Sequence, residues 1–175
     1  ARTSADCQKI TTNKKLIPPP ATLIKGATLL SMDDRVGNLE RGDILIEGAK
    51  IVAIGENLAA EGARIIDATH MIAMPGLVDT HRHAWEGQLR RINPDAKTLE
   101  DYCNATHFSF ARYYRPADIY IGNLLTALGC IDAGITTVID NSHNSRTAAH
   151  SDAAVEALLD AGIRAVHASG APVSG

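Results

Sequence analysis

A tetrapeptide that occurs twice constrains the fold of this chain more than any other feature of its sequence. Asp-Ala-Gly-Ile stands at 132–135 and again at 160–163, each time between a stretch with helical periodicity and a run of β-branched residues. A glycine in this place ends a helix and releases the chain into a strand. Two such helix–strand units in tandem predict right-handed crossovers and a parallel sheet. A doubly wound sheet and a barrel both contain such a sheet.

Capping residues and apolar periodicity predict the elements that follow Gly76. Thr98 and Asp101 form a capping-box pattern, and proline, as at 116, is typical of the first turn of a helix. The predicted elements are a short buried strand over 77–81, a helix from Thr98 to about Tyr114, a second helix from Pro116, a strand over 135–140, a third helix from Ser151 and a strand over 163–167. This alternation is typical of α/β structure.

Residues 21–75 have a different pattern from the rest of the chain. Short apolar stretches alternate there with glycine and polar turn residues, and the clearest signal is a hairpin over 43–55. We therefore expect a small β-sandwich-like module over 21–75, followed by α/β structure over 76–175. Residues 1–20 are polar and end in three prolines, which predicts an extended N-terminal arm.

Composition excludes several classes of protein. Hydrophobic residues make up 45% of the 175 residues and the formal net charge is −3, values typical of a globular protein and not of a disordered chain. No basic stripe indicates nucleic-acid binding, and no apolar run approaches the ~18 residues that a membrane span requires. The three cysteines include no C-x-x-C pair, so we expect reduced thiols and a cytoplasmic protein.

Two of the seven histidines, His81 and His83, lie at the end of the first predicted strand of the α/β part. Residues i and i+2 of a strand point to the same face, so the two imidazoles are placed to bind one divalent ion. The carboxyl ends of parallel strands are also where α/β folds place their chemistry. The alternative is a pair of surface histidines that bind nothing.

A catalytic zinc site generally has three protein ligands and a water, so two histidines are too few. His143, after the second strand, and His167, in the third, are placed to supply another ligand. The alternatives are a loop histidine for His143 and a hydrogen-bonded core histidine for His167. His70, His107 and His150 are interpreted as non-ligands. An ion held by neutral imidazoles would lower the pKa of a bound water to about 7 and supply hydroxide at neutral pH.

Residues 74–83, Met-Pro-Gly-Leu-Val-Asp-Thr-His-Arg-His, resemble the P-G-[LF]-[VI]-D-x-H-x-H signature of the amidohydrolase superfamily. The stretches 80–88 and 133–138 are similar to its branch of cytosine-deaminase-like and triazine-hydrolase-like enzymes. The resemblance implies a (β/α)8 barrel and hydrolysis of amide, amidine or ring C–N bonds. It also implies one or two metal ions, with zinc expected first and iron as the alternative. His81 and His83 would be the first two metal ligands.

The remaining ligands and the catalytic acid–base residues of that family have no counterpart in this sequence. A complete barrel takes ~250 residues, whereas residues 76–175 provide only three strands and their helices. We therefore expect an incomplete (β/α)8 TIM-type barrel, represented by its first three strands. The remainder of the same polypeptide, or a second chain, is expected to complete it. We also expect a small-molecule substrate and a homo-oligomer, with no nucleic-acid or membrane partner.

The loop that follows His83 is expected to line the substrate site. Trp85 is a candidate to stack on a flat heterocycle, and Gln88 is a candidate to hydrogen bond to its edge. The alternative is that Trp85 packs on the following helix and that Gln88 is solvated. His143 is the third candidate for substrate binding.

Two aspartates lie close to the same strand ends. Asp79 shares the strand face of His81 one layer deeper, which favours a hydrogen bond that supports a metal ligand. An interior polar contact is the alternative for Asp79. Asp140 ends the second predicted strand near the same rim.

These features favour a metal-dependent hydrolase acting on a C–N bond of a cyclic amidine or amide, with deamination of a heterocycle expected first. The alternative is a non-catalytic binding or regulatory fragment that retains the fold. A doubly wound nucleotide-binding domain is disfavoured, because the sequence contains no G-x-G-x-x-G or Walker loop. Catalytic residues other than the metal ligands are not assigned.

Overall fold

The computed structural model of the protein describes residues 20–92 and 95–173, and the chain forms two compact units, Ala1–Pro75 and Gly76–Gly175. The predicted N-terminal arm lies outside the described residues, apart from Pro20. Within the described ranges, no helix combines the length and the apolar character that crossing a bilayer requires. Strands and helices are both present, as the sequence predicts for the mixed α/β class.

The first unit is built from strands. They are β1 (Thr22–Leu30), β2 (Asn38–Glu47), β3 (Lys50–Gly55), β4 (Arg64–Asp67) and β5 (Ile72–Ala73). Antiparallel pairing of β2 with β3 confirms the predicted hairpin, and β1 pairs antiparallel with β2. The described strands are connected by hydrogen bonds into one sheet, in which β4 and β5 both pair in parallel with β1, and the sandwich-like packing stays a prediction.

The second unit alternates strands and helices. Its elements are β6 (Leu77–Arg82), a 3₁₀ segment (Ala84–Leu89), α1 (Leu99–Ala105), a shorter 3₁₀ segment (Ala111–Tyr113), α2 (Pro116–Asp132), β7 (Ile135–Ser142), α3 (Ala148–Ala161) and β8 (Arg164–Ser169). The strands form a parallel sheet in the order β6-β7-β8, which confirms the predicted parallel pairing. The carboxyl ends of all three strands therefore lie at one edge.

Glycines end the two longest helices of this unit where the repeated tetrapeptide places them. Gly134, after α2, has φ +79°, and Gly162, after α3, has φ +73°. In this left-handed region a side chain would be strained, so glycine is the residue that lets the chain leave the helix. The two predicted helix ends are confirmed.

Two other predicted helix boundaries are wrong. The capping box of α1 is present, since Thr98 Oγ1 accepts from the Asp101 amide at 3.1 Å and the Asp101 carboxylate accepts from the Thr98 amide at 3.0 Å. However, α1 ends after seven residues instead of continuing to about Tyr114. Beyond it, the amides of Phe108 and Ala111 bond to the carbonyls of Cys103 and Thr106, five residues earlier instead of four, so the regular helix does not continue.

The start of α3 is the second correction. The helix begins at Ala148 and not at Ser151, and Thr147 precedes it in an extended conformation. Thr147 Oγ1 lies 2.8 Å from His150 Nδ1, a contact that closes the first turn. Thr147 thus occupies the N-cap position, but its hydroxyl contacts the His150 ring and makes no side-chain capping bond.

β6 is less buried than its apolar sequence predicts. Leu77 and Val78 are 52% and 61% exposed. Among the described strands β6 pairs only with β7, so it is an edge strand with one side lacking a neighbour. The prediction of a buried strand is wrong for the described residues.

A close approach between α2 and the longer 3₁₀ segment fixes the chain that follows β6. A Cβ on Gly122 would lie 2.3 Å from the carbonyl oxygen of Trp85, and Thr126 Oγ1 donates to the carbonyl of Ala84 at 2.8 Å. The Trp85 side chain is buried between these elements. The other buried members of its cluster are Ala111, Ile119, Ala153 and Ala154.

Asp140 links three segments at the carboxyl edge of the sheet. Its carboxylate accepts from the Ala84 amide at 3.0 Å and from His167 Nδ1 at 2.8 Å. Asp140 is completely buried, so these bonds replace the contacts with water that its carboxylate would otherwise make. The bonds join β7, β8 and the start of the 3₁₀ segment.

Two glycines of α2 provide a matched test of the packing. We expect Gly122→Ala to lower the free energy of unfolding by about 1–3 kcal/mol, because its Cβ has no room against the Trp85 carbonyl. Gly129→Ala should raise it by about 0.5–1 kcal/mol, since alanine favours a helix and a Cβ there meets no described atom within 4 Å. Urea denaturation measures both changes, and effects of the same sign would contradict the close approach.

Asp140→Ala tests the link between the strands. We expect it to lower the free energy of unfolding by about 2–4 kcal/mol, because the Ala84 amide and His167 both lose their buried acceptor. Asp132→Ala, at the exposed end of α2, is the control and should change it by less than about 0.5 kcal/mol. If chemical denaturation gives the same small change for both variants, the two bonds do not stabilise the sheet edge.

Candidate metal centre

The two histidines at the end of β6 face each other. The Nε2 atoms of His81 and His83 lie 3.3 Å apart, and the rings meet edge to face. Two nitrogens bound at ~2.0–2.1 Å to one tetrahedral zinc ion would be separated by about 3.3 Å, so the observed distance suits two ligands of one ion. Without an ion, the same distance permits a long N–H···N hydrogen bond. The structure brings the pair together, and its role as a ligand pair stays a prediction.

The neighbouring strand orients the ring of His83. Its Nδ1 donates to the carbonyl oxygen of Asn141 in β7 at 2.7 Å. A carbonyl can only accept, so the proton of the neutral ring lies on Nδ1 and the lone pair of Nε2 is left facing His81. Histidines that bind metals usually have such an acceptor on the other nitrogen.

Asp79 contacts His81 through the main chain. Its Oδ1 accepts from the His81 amide at 3.1 Å, and its Oδ2 accepts from Arg82 Nε at 2.8 Å. Burial would raise the pKa of Asp79, but the hydrogen bonds from His81 and Arg82 outweigh it and lower the pKa below its usual value. The sequence predicts a bond from Asp79 to a metal ligand, and the structure places that bond on the amide of His81 and not on its ring.

His143 packs on the face of His83. The two rings are stacked with their centroids 4.1 Å apart and their planes 13° from parallel. Trp85 Nε1 donates to His143 Nδ1 at 3.1 Å, and the centroid of the His107 ring lies 4.3 Å from that of His143, in an edge-to-face contact. Burial, reinforced by the neighbouring imidazoles, lowers the pKa of His143 to about 4, so its ring is neutral at pH 7.

A carboxylate belongs to the same cluster. Glu86, in the 3₁₀ segment, accepts from the hydroxyl of Tyr102 in α1, and burial raises the pKa of Glu86. One potential ligand atom from each of Glu86, His107 and His143 lies within 4.8 Å of the others. Sequence reasoning missed Glu86 and interpreted His107 as a non-ligand. No local sequence motif marks either residue as part of the cluster. Both are brought there by the packing of the chain between β6 and α2.

Three further residues singled out from the sequence make contacts within the second unit. Trp85 is 0% exposed and packs in a core cluster, as its packing alternative describes, and its stacking on a substrate stays a prediction. Gln88 is exposed, and its amide donates to the carbonyl of Asp118. His167 Nδ1 is bonded to Asp140, as the core alternative predicts, but its buried Nε2 has no hydrogen-bond partner among the described residues, so the ring is only half satisfied.

Comparison with known proteins relates the chain to a group of deaminases. No family model matches it. A 5'-deoxyadenosine deaminase from Methanosarcina barkeri is 35% identical over 118 residues, which are 67% of this chain and 27% of the relative. A 5-methylthioadenosine/S-adenosylhomocysteine deaminase from Symbiobacterium thermophilum is 35% identical over 151 residues, which are 85% of this chain and 33% of the relative.

Solved structures extend the relationship to a dechlorinating enzyme. The crystal structure of an atrazine chlorohydrolase from Arthrobacter aurescens, complexed with zinc, matches with a TM-score of 0.67 and 32% identity. The match covers 83% of this chain and 35% of that protein. The chain therefore spans between about a quarter and about a third of the length of the proteins it resembles. It belongs to the amidohydrolase superfamily and corresponds to the N-terminal portion of its members.

Proposed function

We propose that the protein is a metal-dependent hydrolase that acts on a C–N bond of a cyclic amidine or amide, and that its reaction is the deamination of a heterocycle. The observation that carries the proposal is the 3.3 Å separation of the His81 and His83 Nε2 atoms. The Asn141 carbonyl occupies the other nitrogen of His83. The free lone pair of His83 therefore faces the second ring at the spacing that two ligands of one cation require.

In this proposal His81 and His83 hold the ion. Zinc is preferred because imidazole suits it and because the superposed chlorohydrolase contains zinc, with iron as the alternative. When bound, the ion supplies Lewis acidity and an activated water at neutral pH. Asn141 keeps the His83 ring in place, and Asp79 fixes the main chain at His81. The third protein ligand and the acid–base groups are supplied by segments outside these 175 residues.

The names of the similar proteins suggest the class of substrate. Adenosine derivatives and atrazine are all built on planar nitrogen heterocycles. We propose that such a ring binds beside His81 and His83, with His143 and Gln88 as candidates for hydrogen bonds to its edge. Trp85 is not proposed for this role, because its side chain is buried in the core.

The second unit is proposed to be the first part, over 76–175, of a (β/α)8 barrel that follows the small module over 21–75. Its parallel strands in sequential order and its crossover helices support this. So do the exposed apolar side chains on the edge strand β6, since strands of parallel sheets are normally buried. The remainder of the polypeptide, or a second chain, would cover them. A cytoplasmic location and a homo-oligomer remain predictions.

The alternative function is a non-catalytic binding or regulatory fragment with the same fold. It is favoured by the ligand count, because the described residues bring two histidines together at the end of β6 whereas a catalytic zinc site generally has three protein ligands. The two functions differ in whether a metal ion binds between those rings.

Metal titration distinguishes the two functions. We expect the purified protein to bind Zn²⁺ between the two rings, and His81→Ala or His83→Ala to weaken that binding by about 100-fold, because each removes one of two converging ligands. Competition with a chromophoric chelator measures the affinity, and circular dichroism verifies that the variants fold.

The control for this titration is a histidine of the first unit. His70→Asn removes an imidazole at a position with φ +70°, which asparagine tolerates, and should leave zinc affinity unchanged. A folded wild-type protein that binds no zinc would refute the hydrolase and favour the binding fragment.

A further inference from the structure

We infer that His143 is a positioning residue for the metal ligand His83 and not a ligand itself, and that the indole N–H of Trp85 keeps His143 in that role by fixing its tautomer. The inference rests on the proposed function for the identity of His83 as a ligand. Its first step, the tautomer of His143, depends only on the contacts of this chain.

The tautomer follows from the bond between the two side chains. Trp85 Nε1 lies 3.1 Å from His143 Nδ1, and an indole N–H can only donate. His143 Nδ1 must therefore be unprotonated, which places the proton of the neutral ring on Nε2. Trp85 is fully buried, so its N–H has no access to water as an alternative partner.

This tautomer argues against a cation site formed by Glu86, His107 and His143, although their ligand atoms lie within 4.8 Å of one another. Coordination through His143 Nε2 would move the ring proton to Nδ1, where it would oppose the indole N–H. Coordination through Nδ1 would displace Trp85 and leave a buried donor without a partner. As arranged, His143 presents an N–H donor within a cluster that contains a carboxylate.

The contact with His83 gives His143 a different role. The His83 ring is held in its plane by the Asn141 carbonyl at 2.7 Å and covered on its face by the His143 ring at 4.1 Å. Asn141 and His143 are two residues apart at the end of β7, so one strand end supplies both restraints. Rotation of His83 about either of its side-chain bonds would break one of them. The position of Nε2 is thereby fixed before an ion arrives.

The tautomer is tested in the metal-free protein by ¹⁵N NMR of labelled histidine. We expect His143 to have a protonated Nε2 and an unprotonated Nδ1 in the wild type. Trp85→Phe keeps an aromatic ring in the core but removes the donor, so it should give a mixture of the two tautomers. Tyr120→Phe, which removes the hydroxyl bonded to Asp160 at 2.8 Å, is the matched control and should leave the His143 signals unchanged.

Zinc binding tests the second step. Trp85→Phe should weaken zinc affinity by about tenfold with unchanged stoichiometry, because the restraint on His83 is looser, and Tyr120→Phe should not. Adding zinc to the wild type should leave the proton on His143 Nε2. Loss of that proton on zinc binding, or an Nδ1-protonated His143 in the metal-free protein, would overturn the inference.

The two proposals fail in different ways. If the wild type binds no zinc, the proposed function fails, while the metal-free spectrum still reports the tautomer. If zinc binds but the His143 signals contradict the expected tautomer, the proposed function stands and the positioning role is wrong. Should Trp85→Phe not fold, the wild-type spectra with and without zinc suffice for this decision.

Discussion

The hydrogen bond from His83 Nδ1 to the Asn141 carbonyl is the constraint on which the rest of the site depends. It joins residues 58 positions apart and forms because β6 and β7 pair in parallel, so that their carboxyl ends lie side by side. Since a carbonyl only accepts, the bond also determines which nitrogen of His83 carries the proton and which faces His81. The sheet topology thus sets a protonation pattern as well as a position, and that pattern is what makes the pair suited to a cation.

Sequence predicted the fold well where the determinants are local. A chain that passes from a helix into a strand needs one residue with left-handed φ, and Gly134 and Gly162 provide it. The capping box of Thr98 and Asp101 is equally local, because it lies within four residues. Prediction failed where a competing interaction decides the outcome. Beyond α1 the amides bond to carbonyls five residues earlier, as Phe108 does to Cys103, and apolar periodicity does not predict such a change in bonding.

The same distinction holds for the candidate site. His81 and His83 could be paired from the period of a strand alone, because that period puts i and i+2 on one face. Glu86 and His107 could not, since their approach to His143 requires the chain between β6 and α2 to fold over the sheet edge. The sequence does not determine the environment of Trp85 either, because an aromatic residue after a strand suits a substrate site and a core equally well. In the structure Gly122 has no Cβ and so leaves room for the Trp85 backbone, and the Trp85 side chain is buried in the core.

The contacts that prepare His83 are all internal to the second unit. The carbonyl of Asn141, the stacked ring of His143 and the donor on Trp85 come from residues 85–143. A ligand pair ordered in this way loses little side-chain freedom when an ion binds, which favours affinity. In the proposed centre, any segment that adds a further ligand would therefore meet a pair of imidazoles that the second unit already orients.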